Sequence, residues 1–140
     1  MSRIGRLRWS IEPAPGWTGR DDPECITIES EQGVGALQVS GYVQAGVVSD
    51  DDLEELAAER VTGLLRQMRS CVAGEFTGFA YERLSDGMSW REWYLRAADL
   101  ALFVTYVCSP DNAGVDDADV DQMLTTLRLE AKHPGDAGRG

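Results

Sequence analysis

The stretch from Leu100 to Cys108 limits the fold more than any other part of the chain. It is apolar in both parities: Leu100, Leu102, Val104 and Tyr106 fall on one side of an extended strand, and Ala101, Phe103 and Val107 on the other. A strand of that kind must be covered on both faces. It therefore belongs in the interior of a sheet, with other elements packed above and below it. The residues before it, from Phe76 onward, read as two further strands of one antiparallel meander. Ser85-Asp86-Gly87 marks the first turn, where glycine supplies a left-handed position, and Arg96-Ala-Ala-Asp99 marks the second. In the middle strand Trp90 and Tyr94 share one face, while Trp93 and Leu95 share the other.

Upstream, Arg6 to Ile11 predicts a short first strand with Leu7, Trp9 and Ile11 on one face. Glu12 to Glu24 holds three prolines and two glycines and predicts a loop, with Trp17 folded back onto the core as a plug. Cys25 to Glu29 and Gly35 to Gln44 read as a hairpin, with Ile26 and Ile28 facing Leu37, Val39 and Val43. Ser49 is an N-cap with Asp52 three residues on, close to a capping box, and Asp50, Asp51, Asp52, Glu54 and Glu55 load the positive end of the helix dipole. Leu53, Leu56, Ala57, Leu64, Leu65 and Met68 give that helix one apolar stripe, and Arg66 and Arg69 suit its closing turn. A second helix is predicted from about Asp116 to Leu127, with Val120, Met123, Leu124 and Leu127 as its stripe. There is no internal repeat and no linker. The expected organisation is one α+β domain over residues 1–129, an antiparallel sheet with helices packed against it, followed by a flexible tail over 130–140.

Charge restricts the partners. Twenty-four acidic and 13 basic side chains give a formal charge of −11, so phosphate backbones and anionic membranes should repel the chain. Nucleic acid and membrane are therefore not expected as partners, and no stretch approaches the length of a membrane span. The first residues carry positive charge but no continuous apolar run follows, so no signal peptide is expected. Cys25, Cys71 and Cys108 form an odd set without a Cys-x-x-Cys spacing. Each borders an apolar run, which predicts buried free thiols in a reducing cytoplasm.

The catalytic inventory is short. His133, the only histidine, sits beside a proline in the expected tail, which removes a Ser-His-Asp or Cys-His arrangement and any multi-histidine metal site. Asp117-x-Asp119-x-Asp121 opens like a calcium loop, but Gln122 stands where that loop needs glycine and Arg128 where it needs glutamate. Glu82 and Glu92 lie on adjacent predicted strands and would be the carboxylate pair of a glycosidase-like reaction, although nothing in their spacing marks them. No enzyme activity, cofactor or metal is expected. Trp90, Arg91, Trp93, Tyr94 and Arg96 interleave aromatics with arginine, a pattern that serves as a core layer, a protein hot spot or a nucleic-acid stacking platform, the last opposed by the charge of −11.

Several details resemble the PsbP-like superfamily, an α/β/α sandwich shared by a photosystem extrinsic protein, a nuclear-import Ran-binding factor and small bacterial secretion-accessory and immunity proteins. They are Gly16-Trp17 in the first loop, Trp90-Arg91-x-Trp93 in the meander, Phe103-Val-Thr-Tyr-Val-Cys108, and Met123-Leu-Thr-Thr-Leu-Arg128 closing the last helix. The resemblance implies that sandwich fold and a non-enzymatic binding role, and it transfers no functional residue. The expected function is a cytoplasmic protein-binding module, such as an immunity protein or secretion adaptor, whose acidic surface suits a basic toxin or secreted effector. Its expected contact residues are Asp50, Asp51, Asp52, Glu54 and Glu55 together with Trp90, Arg91 and Tyr94. The alternative is a small-molecule-binding or weakly catalytic domain with an aromatic pocket between sheet and helices.

Overall fold

A computed structural model describes residues 3–6, 8–60 and 68–130. The elements in chain order are β1 (Ile4–Arg6), β2 (Trp9–Ile11), β3 (Trp17–Asp21), β4 (Ile26–Ser30), β5 (Gly35–Val43), α1 (Asp50–Arg60), β6 (Arg69–Ala73), β7 (Phe76–Ser85), β8 (Met88–Ala97), β9 (Leu100–Cys108), α2 (Asp117–Leu124) and β10 (Arg128–Leu129). Seven strands form one antiparallel sheet in the order β3-β4-β5-β9-β8-β7-β6. β9 sits at its centre between β5 and β8, as its two-sided apolar pattern requires, and every residue of it is buried or half-buried.

Register sorts the side chains into two faces. Leu100, Leu102, Val104 and Tyr106 of β9 line up with Trp93 and Leu95 of β8, Leu37 and Val39 of β5, and Ile26 and Ile28 of β4. This face carries the larger core. The small antiparallel sheet β1-β2-β10 supplies Trp9 and Ile11 to it, and α2 with the residues after it supplies Val120, Met123, Leu124 and Leu127. The opposite face bears Ala101, Phe103, Tyr94, Phe79 and Tyr81, and there α1 contributes Leu53, Leu56 and Ala57 to a second cluster. Full burial of one leucine such as Leu53 is worth about 2 kcal/mol, so a short helix is held by a few such contacts.

Several expectations change. Arg6 to Ile11 is not one strand: Arg8 takes φ +87 and reverses the chain, so β1 and β2 pair with each other as a hairpin. The predicted loop contains β3, because Trp17 to Asp21 pair with β4 along a sheet edge; Trp17 is buried as expected, but as a strand residue. Val43 does not join the core and is 60% exposed. Arg69 closes no helix; it begins the edge strand β6, paired to β7. α2 ends at Leu124, and Arg128 and Leu129 pair with β2. Cys108 is buried, whereas Cys25 and Cys71 are only half-buried. Leu7, Leu64, Leu65, Arg66 and His133 lie outside the described residues, as does the expected tail beyond Glu130; Met68 is described and packs against the α1 cluster without being helical.

Two local devices fix the meander and the first helix. Asp86 and Gly87 both take positive φ, +54 and +74, the geometry that a two-residue hairpin turn needs to match strand twist. At Ser49 the backbone N–H donates to Asp52 Oδ2 at 2.9 Å, and the Asp52 N–H donates back to Ser49 Oγ at 3.1 Å. That reciprocal pair is the capping box, formed here with aspartate.

Candidate partner-binding surface

The eight expected contact residues do not meet in one place. Tyr94 is 1% exposed, stacked on Tyr81 and tilted against Phe103 in the cluster that α1 covers. Trp90 is half-buried; its indole N–H donates to the Ser85 carbonyl at 3.3 Å, and the Arg83 guanidinium lies 5.2 Å from its ring centroid. Arg91 points to the opposite face. It pins α2 to the sheet by pairing with Asp117 at 3.2 Å and Asp121 at 2.8 Å, and its guanidinium sits 4.8 Å from the Trp93 ring centroid. Tyr94 is thus part of the core, while half-buried Trp90 and Arg91 face opposite sides of the sheet and are each held by intramolecular partners.

The acids of α1 divide by role. Asp50 accepts from Arg96 Nε at 2.6 Å, which joins the helix start to β8 and holds the arginine further toward its charged form. Asp52 is engaged in the capping box and also accepts from Gln44 Nε2 at 3.1 Å. Its carboxyl is held below the usual aspartate value, first by the Ser49 N–H and then by the Gln44 amide. Asp51, Glu54 and Glu55 are exposed and make no ion pair among the described residues.

The structure adds neighbours that the sequence pattern did not single out. The end of β5 and the segment leading to Ser49 expose Tyr42 at 45%, Val43 at 60% and Val47 at 75%. The Gln44 side chain bridges this apolar stretch to the helix by donating to the Val47 carbonyl and to Asp52, both at 3.1 Å. The exposed end of β5, with Tyr42 and Val43 on opposite faces of the sheet, is thus joined through Gln44 to the acidic start of α1.

Asp119 accepts from the Trp17 indole at 3.0 Å, while Asp117 and Asp121 hold Arg91, so the calcium-like triplet is dispersed among structural partners. Glu82 and Glu92 sit on opposite faces of the sheet, because their positions differ in parity along the β7–β8 register, and they cannot act on one substrate. Glu92 instead belongs to a buried group on the α1 side of the sheet. It is 3% exposed and takes two hydrogen bonds from Arg83, at 3.0 and 3.2 Å. The Tyr81 hydroxyl lies beside it, and burial first, then Glu92 and Tyr94, push that phenol well above its ordinary value. Among the described residues no three His, Cys, Asp or Glu side chains gather as a metal site, and no helix is long and apolar enough to cross a membrane.

No protein-family model and no curated protein matches the chain. A crystal structure from Bacteroides thetaiotaomicron VPI-5482 is similar to it in fold, with a TM-score of 0.67 over 88% of this chain at 11% identity. The chain spans only 45% of that protein's length. At such identity the likeness concerns the fold alone.

Proposed function

We propose that the chain is a non-enzymatic protein-binding module whose partner presents a basic surface. The observation that carries this reading is the junction at Gln44, where a segment that exposes Tyr42, Val43 and Val47 leads into the start of α1, whose Asp51, Glu54 and Glu55 are exposed and make no ion pair among the described residues. Apolar side chains flanked by like charges supply affinity at the centre and steering at the rim. The net charge of −11 extends the same field over the whole molecule. With helices on the two faces of an antiparallel sheet, the reading agrees with the PsbP-like α/β/α sandwich that the sequence resembles, although the small sheet β1-β2-β10 adds to one of its layers. An immunity protein or secretion adaptor that binds a basic toxin or effector in the cytoplasm is the concrete form we favour.

A direct test is affinity capture from the native host at about 50 and 500 mM salt. The wild type is compared with the triple variant Asp51→Asn, Glu54→Gln, Glu55→Gln. Asp50 and Asp52 are left intact because they hold Arg96 and the helix cap. The reading expects a basic protein retained at low salt and weakened by the variant. Salt-insensitive capture untouched by the triple change would remove the acids from the account.

The second reading, a small-molecule site between sheet and helices, is favoured by one observation: buried Glu92 and Tyr81 on the α1 side of the sheet, with half-buried Arg83 held to Glu92. A thermal shift by a metabolite, with no protein partner found, would support it in place of the first.

A further inference from the structure

β4 and β5 form a hairpin of unequal arms. β4 begins at Ile26, opposite Val39, because the chain bends through Pro23, Glu24 and Cys25, while β5 continues to Val43. Among the described residues Ser40 to Val43 are therefore paired on the β9 side only. The direction of their backbone groups follows from one bond. The Gln44 N–H donates to the Asp99 carbonyl at 3.0 Å, so Gln44, and by alternation Tyr42 and Ser40, address β9. Gly41 and Val43 then point their N–H and C=O groups away from β9, toward a side that no strand among the described residues fills.

Two grooves flank this open edge, one on each face of the sheet. One is lined by Trp9, Glu24, Val43 and Leu100, the other by Glu24, Ser40, Tyr42 and Phe103. Trp9 is 2% exposed, and its indole N–H makes no hydrogen bond among the described residues, leaving a nearly buried donor at the wall of the first groove. Arg6, also in that wall, is tied to Asp21 at 2.8 Å and to the Cys25 carbonyl at 3.1 Å. Glu24 is exposed and carries no ion pair among the described residues, so the uncommitted charge at the edge is negative.

We infer that Ser40–Val43 receives an extended basic segment of the partner protein, which adds to the sheet antiparallel to β5 in the place vacated by β4. Gly41 and Val43 offer up to four main-chain hydrogen bonds. The incoming side chains alternate between the two grooves, and a basic one among them reaches Glu24. This rests on the protein-binding reading above and specifies its mode.

The test uses a blocked seven-residue peptide alternating valine and arginine, its fully N-methylated twin, and the full-length protein in wild-type and Val43→Pro forms. Proline at 43 removes an N–H that the β9 ladder does not use, so pairing with β9 is kept. In the free protein the amides of Gly41 and Val43 should exchange rapidly while those of Ser40 and Tyr42 are protected. The peptide should slow Gly41 and Val43 exchange, and both N-methylation and Val43→Pro should weaken binding by about tenfold or more. Protected Gly41 and Val43 amides in the free protein would overturn strand addition, whether or not the proline variant folds. Equal binding of the N-methylated twin and of Val43→Pro would also overturn it, while leaving a basic partner in place. No binding of the peptide to any form at millimolar concentration would overturn it too, and host capture would then decide the wider reading by itself.

Discussion

Arg83 grips Glu92 across the β7–β8 pair through two hydrogen bonds, at 3.0 and 3.2 Å, with the carboxylate 3% exposed. The two residues are diagonal rather than directly opposite, since Glu92 faces Tyr81 and Arg83 faces Trp90 in the register. Removing one member of such a pair leaves an uncompensated buried charge, whereas removing both leaves an apolar site. Arg83→Met should therefore destabilise the protein by about 3 kcal/mol, and the double change Arg83→Met, Glu92→Leu should recover most of that loss. Urea denaturation of the single and double variants measures it. Strictly additive losses would show that the pair is not coupled.

Two buried tyrosines set the alkaline limit. Burial, then a hydrogen bond to Asp116, raises the Tyr106 phenol above its ordinary value near 10, and Tyr81 is raised by burial and then by Glu92. Above that value the unfolded chain loses these protons while the folded chain keeps them, so stability should fall as pH rises beyond 10. The slope should approach about 1.4 kcal/mol per pH unit for each tyrosine. The raised Cys108 thiol adds in the same direction from about pH 9. Denaturant midpoints between pH 8 and 11 should show the decline, and Tyr81→Phe with Tyr106→Phe should flatten it.

The turn between β6 and β7 is a packing joint. Gly74 takes φ +61, and a Cβ there would lie 2.2 Å from the Leu127 carbonyl oxygen, which also accepts the Glu75 N–H at 3.0 Å. Gly74→Ala should cost about 2 kcal/mol or more, from left-handed strain plus the clash. Gly33 has a similar φ of +67 but open space around it, so Gly33→Ala should cost about 1 kcal/mol. Thermal denaturation of the two variants separates strain from contact; equal losses would contradict the joint.

The same strand order separates the thiols. Cys108 on β9 is two strands from β4, which follows Cys25, and three strands from β6, which carries Cys71. At about 4.8 Å per strand these are gaps of roughly 10 and 14 Å, beyond the ~7 Å reach of a disulfide. Thiol titration of the unfolded protein without reductant should return three free groups per chain. Recovery of one would contradict the strand order.

Much of this was legible in the residues. The two-sided apolar run at Leu100–Cys108, the Asp86-Gly87 turn, the Ser49–Asp52 cap and the Val120-Met123-Leu124 stripe are local signals, and each specifies its element without knowledge of its neighbours. What failed to read was decided by distant contacts. β3 is polar after Trp17 and lies between Pro15 and Pro23, and it is a strand because β4 offers it an edge. β6 and β10 are short and owe their form to the strands beside them. Arg91 looked like a contact residue until α2 brought Asp117 and Asp121 to it. The open edge at Ser40–Val43 was half-visible, because the predicted hairpin arms, Cys25 to Glu29 and Gly35 to Gln44, already differed in length.

The most direct measurement of the central claim is a hydrogen-exchange footprint of the protein alone and with its captured partner. If the junction between the end of β5 and the start of α1 is the binding surface, new protection should fall within residues 40–55 and leave α2 unchanged. Protection concentrated over Tyr81–Glu92 or over α2, with residues 40–55 unaffected, would contradict it.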